Sequence, residues 1–245
     1  MTNNKKNRLQ EISSLVLGKP EFLNMKTSEL KKNINEISHS LDLEWIKSGY
    51  KDFSLYHRFD YLYSVLNCYY TISANSVKNS MKYFKNNNVD ISKLEAFDDY
   101  NGLGITTLDL IESGFKSVSY FNDVDIQLEA FNKILDFYNL EKPLLDKDKS
   151  GKYDVVFSME IAEHEQNPDE YLDSICSMVK DDGYLCISIT FNNKYLGHFN
   201  EYFVNGKTFN PPRGAGAAAL KRIADNGFER VWVGFNGKPF VFKKM

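Results

Sequence analysis

The chain has 245 residues, of which 42% are hydrophobic and 14% aromatic, a composition typical of a folded globular protein. Its formal charge of −3 argues against a main role in binding nucleic acid, because phosphate binding needs concentrated Lys and Arg. No apolar run approaches the ~18 residues of a membrane span, and the N-terminus lacks the apolar segment of a secretory signal. We therefore predict a cytoplasmic protein with no membrane partner.

The first 88 residues predict helices. Apolar residues recur at helical spacing over 9–17 and 28–41, and a long aromatic segment over 57–84 contains neither Gly nor Pro. The polar residues 86–90 then interrupt the pattern. We predict a helical N-terminal cap over residues 1–88. Its aromatic side chains between positions 50 and 63 are candidates to line a substrate pocket: Tyr50, Phe53, Tyr56, Phe59, Tyr61 and Tyr63.

From residue 93 onward, strands and helices alternate. Strands are predicted at 93–100, 116–122, 152–159, 184–190, 228–236 and 238–245. Helices are predicted at 105–115, 125–140, 169–180 and 216–227. This alternation indicates an α/β domain over residues 89–245, with a mostly parallel sheet and a final hairpin turning at Asn236-Gly237. The third strand is expected within 141–152, but that segment is too polar for the strand to be placed.

A glycine-rich turn joins the first strand to the helix that follows it. Gly102 and Gly104 stand at this junction, where glycines let the backbone approach a ligand and the helix N-terminus offers free amide donors. The second strand ends at Asn122 and Asp123, and a carboxylate there can accept hydrogen bonds from both hydroxyls of a ribose. Asp125 is an alternative to Asp123 for this role. The pattern predicts a nucleotide-like ligand at the carboxyl edge of the sheet.

The run Asp98-Asp99-Tyr100-Asn101-Gly102-Leu103-Gly104 resembles the D-x-G-x-G-x-G pattern of class I S-adenosylmethionine-dependent methyltransferases, with Tyr100 in place of the first glycine. The likeness covers residues 93–245 and includes the terminal hairpin. It implies a Rossmann-like, mostly parallel seven-stranded sheet with a C-terminal antiparallel hairpin strand, preceded by the helical cap. It also implies S-adenosylmethionine as cofactor, held by Asp98, Tyr100, Asn101, Gly102, Gly104, Asn122, Asp123 and Met159.

The fourth strand of that fold runs into Glu160, Glu163 and His164, whose spacing places them on one face of a helical turn. In most members of the family, such a Glu and His are structural. In the ubiquinone-pathway O-methyltransferases and the small-RNA 3′-terminal 2′-O-methyltransferases, the same E-x-x-E-H spacing holds a divalent metal. The RNA branch adds a histidine after the fifth strand, where this chain has His198.

The resemblance therefore implies Glu160, His164 and His198 as catalytic candidates. It also implies a metal alternative, in which Glu160, Glu163, His164 and His198 hold Mg²⁺ or Mn²⁺ and the metal lowers the pKa of an acceptor hydroxyl. The alternative, in which the same side chains have a structural role and bind no metal, is also compatible with the sequence.

Three functions fit these observations. The first is methyl transfer to an oxygen or nitrogen of a small molecule, beneath a lid made of the N-terminal helices and the long segment 191–214. The second is a metal-dependent RNA 2′-O-methyltransferase, which predicts a basic path across the cleft from Lys194, Lys207, Arg213, Lys221 and Arg222. The third is a non-catalytic binding protein with the same fold, for which Tyr100 is the main argument. The acidic balance favours a small-molecule partner over nucleic acid.

Overall fold

The computed structural model describes residues 4–99, 102–234 and 239–245. The α-helices that precede the sheet are α1 (Asn4–Leu17), α2 (Thr27–Lys47), α3 (Tyr61–Cys68) and α4 (Ala74–Asn86). Within the predicted helical segment 57–84, a π-helical turn at Tyr69–Ser73 separates α3 from α4. The Thr71 hydroxyl donates to the Asn67 carbonyl at 2.6 Å, so a side chain competes for backbone hydrogen bonds where the helix widens.

The remaining elements form the predicted α/β sheet. Its helices are α5 (Ile105–Ser113), α6 (Asp125–Phe137), α7 (Asp169–Met178) and α8 (Ala215–Asp225). Its strands are β1 (Glu95–Asp99), β2 (Ser117–Tyr120), β3 (Leu144–Leu145), β4 (Tyr153–Met159), β5 (Val179–Ser188), β8 (Phe228–Val233) and β9 (Phe240–Lys244), while β6 (Tyr202–Val204) and β7 (Lys207–Phe209) pair separately.

Across the described residues, the seven-stranded sheet has the order β3-β2-β1-β4-β5-β9-β8. The pairs from β3 through β5 are parallel, and β9 lies antiparallel between β5 and β8. The predicted Rossmann-like fold is therefore confirmed. The predicted turn at Asn236-Gly237 lies outside the described residues. Strand β3 has only two residues, which explains why no strand pattern marks it in the polar segment 141–152.

Strand β5 begins earlier than predicted. We expected α7 to extend to residue 180 and to stop at the Asp-Asp-Gly run, but the helix ends at Met178 and the strand begins at the next residue. The run forms a bulge in the strand: Asp182 has φ +61°, and the register against β4 shifts between Tyr153 and Val155. A Cβ on Gly183 would lie 2.8 Å from the Asp154 carbonyl oxygen, so glycine is needed within the sheet.

The segment 191–214 contains the separate β6–β7 hairpin. Its two connecting residues, Asn205 and Gly206, both have positive φ, at +48° and +73°. An Asn-Gly pair favours this tight connection between antiparallel strands, so a local signal for the hairpin was present in the sequence and was missed.

The N-terminal helices and the sheet domain share a hydrophobic core. Ile12 of α1, Leu30 of α2 and Leu66 of α3 are fully buried in one cluster with Phe131 and Ile134 of α6. Because the cap buries its apolar faces against the sheet domain, its helices depend on that contact for much of their stability. A domain division at residue 88 stays a prediction. No helix in the described part of the chain is long and apolar enough to cross a membrane.

Candidate functional site

The glycine turn is held between two helices. Gly102 and Gly104 have φ values of +55° and +72°, which glycine adopts without steric cost. A Cβ on Gly104 would lie 1.9 Å from the Phe131 ring of α6, and one on Gly102 would lie 2.9 Å from a Val65 methyl carbon of α3. Close packing therefore requires glycine at position 104, whereas at position 102 the positive φ is the main reason for glycine. Tyr100 and Asn101, predicted as cofactor contacts, lie outside the described residues.

The two acidic residues at the end of β1 differ in their electrostatic surroundings. Asp98 is buried and accepts a hydrogen bond from the Thr107 hydroxyl at 2.7 Å, and burial raises its pKa to about 8. Asp99 is also buried, but an oxygen of its carboxylate lies 2.7 Å from the Lys149 ammonium. That ammonium also lies 4.0 Å from the centre of the Phe121 ring. Asp98 is thus largely protonated near neutral pH, and the charge of Asp99 is balanced by a cation.

The raised pKa of Asp98 predicts a pH-dependent stability. The folded-state pKa of about 8 exceeds the ~3.9 of an unfolded aspartate, so the folded state binds an extra proton between these values. The resulting stabilisation is complete below the unfolded-state pKa of ~3.9. It is lost as the pH rises through the folded-state pKa of about 8. We expect the free energy of unfolding of Asp98→Asn to fall less with rising pH than that of the wild type in urea titrations.

The control for this measurement is Asp125→Asn, which changes an exposed side chain of the same type. This variant keeps the buried Asp98, so its free energy of unfolding should still fall as the pH rises through the pKa of Asp98. Equal slopes for Asp98→Asn and the wild type would show that Asp98 does not retain its proton on folding.

The end of β2 separates two polar side chains that are adjacent in sequence. Asn122 is buried, donates to the Gly102 carbonyl at 2.8 Å and to Gln127 at 2.9 Å, and accepts from the Val124 amide. These hydrogen bonds connect the end of β2 to the glycine turn and hold the turn in position. Asp123 is exposed and lines the cavity described below, whereas Asp125 does not line it. The geometry thus favours Asp123 over Asp125 as the ribose-binding candidate.

Glu160 and Glu163 form a buried acidic pair. Glu160 has φ +61°, an unusual conformation for a non-glycine residue, and its carboxylate accepts from the Thr190 hydroxyl at 2.5 Å. Glu163 accepts from the Thr190 amide at 3.0 Å. Burial, together with the nearby charge of Glu160, raises the pKa of Glu163 well above its usual range. Simultaneous ionisation of the two carboxyl groups is therefore unfavourable.

His164 contacts the N-terminal cap directly. Its Nδ1 atom lies 3.1 Å from the Tyr56 hydroxyl, and its ring packs edge-to-face against His198 with centroids 5.1 Å apart. Enclosure by protein lowers the pKa of His164 to about 4, so the imidazole is neutral at neutral pH. Gly197 makes this contact sterically possible, because a Cβ there would lie 1.9 Å from the Tyr56 oxygen and 2.2 Å from Nδ1 of His164.

The predicted metal site is not formed. Among the residues that the structure describes, no group of three or more His, Cys, Asp or Glu side chains is placed to hold a metal ion. The physical reason lies in the acidic pair: Glu163 is fully buried, engaged by the Thr190 backbone, and does not line the cavity with Glu160, His164 and His198. The E-x-x-E-H segment instead supports the start of the loop after β5.

Helix α2 holds the loop after β5 over the site. The Trp45 indole donates to the His198 carbonyl at 2.6 Å, and the Leu196 amide donates to Asp42 at 2.8 Å. On the opposite side, the Tyr202 hydroxyl donates to the Glu163 carbonyl at 2.8 Å. The two contacts with α2 join residues more than 150 positions apart in sequence. Together with the Tyr202 contact, they hold the loop so that His198 lies beside His164.

A cavity of about 870 Å³ lies between the sheet edge and the cap. Among the predicted site residues, those that line it are Asp98, Gly102, Asp123, Met159, Glu160, His164 and His198. Gly104, Asn122 and Glu163 are not part of its wall. Of the cap aromatics named above, Phe53, Tyr56 and Tyr61 line the cavity. Asp42 and Lys149 also line it, and neither was predicted because no motif marks them.

The cavity continues from the glycine turn to the cap. Its volume lies toward the upper end of the ~300–1,000 Å³ usual for ligand sites. The Met159–His164 segment lies between the two regions, since Met159 ends β4 at the sheet edge and His164 contacts Tyr56 of the cap.

Comparisons with known proteins agree with this architecture. A family described as "Methyltransferase domain" matches residues 80–228. An S-adenosylmethionine-dependent methyltransferase from Clostridium acetobutylicum ATCC 824 has a similar structure, with a TM-score of 0.57, 15% identity, and coverage of 77% of this chain and 98% of that chain. Magnesium protoporphyrin IX methyltransferase from Synechocystis PCC 6803 with bound SAH has a TM-score of 0.53 and 15% identity, covering 88% and 100% of the two chains.

At these identities the solved structures show similarity of fold alone. No curated protein matches the sequence. The family match, by contrast, extends over more than half of the chain, from the end of α4 to the start of β8, and includes the glycine turn, the acidic pair and the loop after β5. The chain therefore belongs to the methyltransferase-domain family.

Proposed function

We propose that this protein binds S-adenosylmethionine and transfers the methyl group to an oxygen or nitrogen of a small-molecule acceptor. The observation that carries the proposal is the continuous cavity. At one end it is bounded by Gly102 and Asp123 at the carboxyl edge of the sheet, and at the other by the aromatic cap. A methyl donor and an acceptor need to meet in one enclosed space, because transfer depends on alignment of the two reacting atoms.

The sheet-edge end of the cavity suits a nucleoside. Asp123 presents an exposed carboxylate to the cavity, as recognition of ribose hydroxyls requires. Gly102 brings the backbone to the cavity wall without a side chain. Structures of the Synechocystis enzyme contain SAM in one case and SAH in another, which supports the same cofactor here.

When bound, the sulfonium of S-adenosylmethionine supplies an electrophilic methyl carbon. The protein then has to orient the acceptor and manage its proton. His164 is neutral near pH 7 and lines the cavity, so its imidazole is available to accept a hydrogen bond from the acceptor. Its pKa of about 4 makes it a weak base, so its role is to orient the acceptor. The Tyr56 hydroxyl fixes the position of the ring, and the nearby Glu160 only partly offsets the effect of burial on the pKa of His164.

The charge distribution disfavours the RNA alternative. None of Lys194, Lys207, Arg213, Lys221 and Arg222 lines the cavity. Two of these side chains are engaged elsewhere: Lys221 pairs with Asp225 at 2.6 Å, and Arg222 with Asp173 at 2.5 Å. These five side chains therefore do not form the basic path along which an RNA 2′-O-methyltransferase would bind a phosphate backbone. The small-molecule alternative requires no such path.

Titration calorimetry with S-adenosylmethionine and S-adenosylhomocysteine tests the proposal. We expect both to bind the wild type and Asp123→Ala to bind at least tenfold more weakly, because a hydrogen bond to a charged group contributes ~1.5–3 kcal/mol. Asp125→Ala, which alters an exposed side chain outside the cavity, should bind like the wild type. Binding by the wild type would also show that Tyr100 is tolerated in the glycine turn. Failure of both nucleosides to bind would contradict the proposal and favour the non-catalytic alternative.

A further inference from the structure

We infer that the methyl acceptor is an organic cation, an amine carried on an apolar or planar group. This inference rests on the proposed function and adds the chemical class of the substrate. Two features of the cavity carry it: the excess of carboxylates on its wall, and the exposed aromatic rings on its cap side.

The cavity wall is strongly acidic. The carboxylic side chains that line it are Asp42, Asp98, Asp99, Asp123, Glu160 and Glu165. In the described part of the chain, Lys149 is the one Lys or Arg on this wall, and it is already paired with Asp99 at 2.7 Å. Asp98 is largely protonated, Asp123 is assigned to the ribose and Asp99 is paired with Lys149, so the carboxyl groups left for an acceptor are Asp42, Glu160 and Glu165. Burial raises the pKa of Asp42 and Glu165, and a bound ammonium would favour their charged form. An anionic acceptor would be repelled by this wall, and an ammonium would be attracted.

The cap side adds aromatic surfaces that suit a cation. Phe53 of the cap and Tyr195 of the loop after β5, which lies over the same side of the site, both line the cavity and are 55% and 48% exposed. The Phe53 ring lies nearly parallel to that of Tyr56, at an interplanar angle of 15°. Aromatic faces attract ammonium groups and also stack on planar apolar groups. An amine attached to such a group matches both the rings and the carboxylates.

The chemical balance of the reaction is consistent with this substrate. The bound ammonium first loses one proton, which passes through the imidazole or carboxylate groups of the cavity to water. The nitrogen lone pair then forms a bond to the methyl carbon as the bond between carbon and sulfur breaks, and sulfur keeps the bonding pair. The products are an N-methylammonium ion, a neutral thioether and the released proton, so the total charge is conserved.

The test compares three matched probes on the protein saturated with S-adenosylhomocysteine: phenethylamine, 2-phenylethanol and 3-phenylpropionate. They share a phenyl ring and differ in the charge of the end group. We expect calorimetry to show that the amine binds at least tenfold more tightly than the carboxylate, with the alcohol between them. Amine affinity should also fall as salt is added, because the attraction is electrostatic.

A matched pair of variants tests the aromatic part. Phe53→Leu removes a ring that lines the cavity, and we expect it to weaken phenethylamine binding roughly two- to fivefold, as for an exposed cation–π contact. Phe59 is also largely exposed but does not line the cavity, so Phe59→Leu should leave the affinity unchanged.

The two hypotheses fail in different ways. If S-adenosylhomocysteine binds but the carboxylate binds as tightly as the amine, or no amine binding is detected up to its solubility limit, the substrate class is wrong and the proposed function stands. If S-adenosylhomocysteine itself does not bind, the proposed function fails and the inference fails with it.

Discussion

Replacing Gly104 with alanine is expected to destabilise the protein by about 2–5 kcal/mol and to abolish cofactor binding. The new methyl group would lie 1.9 Å from the Phe131 ring, which is fully buried in α6 and has no room to withdraw. The φ of +72° adds the strain of a left-handed conformation. Either α6 or the glycine turn has to move, and the turn forms part of the proposed cofactor site. Urea unfolding and calorimetry with S-adenosylmethionine measure the two effects.

Gly114→Ala is the matched control. Gly114 ends α5 with φ +91°, and a Cβ there would meet no atom within 4 Å. The control therefore carries the backbone strain alone, ~1–2 kcal/mol, and is expected to keep its affinity for the cofactor. If the two variants lose the same stability, the contact between Gly104 and Phe131 is not the reason for the glycine.

The second large effect is expected at Gly197, on catalysis in addition to the ~1–2 kcal/mol of backbone strain that its φ of +82° carries. In Gly197→Ala, the added carbon would overlap both the Tyr56 hydroxyl and Nδ1 of His164, so the two side chains would be forced apart. A displacement of about 1 Å in an active site can lower the rate of reaction about 100-fold. We expect a decrease of that order in methyl transfer, measured with radiolabelled S-adenosylmethionine and a panel of amines and alcohols. Binding of S-adenosylhomocysteine should change little.

Gly206→Ala is the control for backbone strain, because it carries a similar strain without a steric overlap. Gly206 has φ +73° in the β6–β7 hairpin, and a Cβ there would meet nothing within 4 Å. This variant should retain wild-type activity. Full activity in Gly197→Ala would show that the contact between Tyr56 and His164 does not position a reacting group.

Much of the fold was accessible from local sequence patterns. Alternating strand and helix signals predicted the α/β sheet, because apolar periodicity reflects which face of an element is buried. The glycine turn was identified because Gly102 and Gly104 follow a strand and precede a helix. The errors arose where local signals were ambiguous: α7 was expected to continue to the Asp-Asp-Gly run at 181–183, but in the structure β5 begins before the run, and pairing with β4 makes the run a bulge.

The sequence by itself determined the class of fold, the position of the glycine turn and the presence of acids and a histidine after β4. Only the tertiary structure decided how those side chains are used. Glu160 and Glu163 look alike in sequence, yet Thr190, which follows β5 and lies about 30 residues away, binds both. His164 acquires its partner Tyr56 from a segment 108 residues earlier. Hydrogen bonds and burial of this kind depend on elements distant along the chain, so no local pattern specifies them.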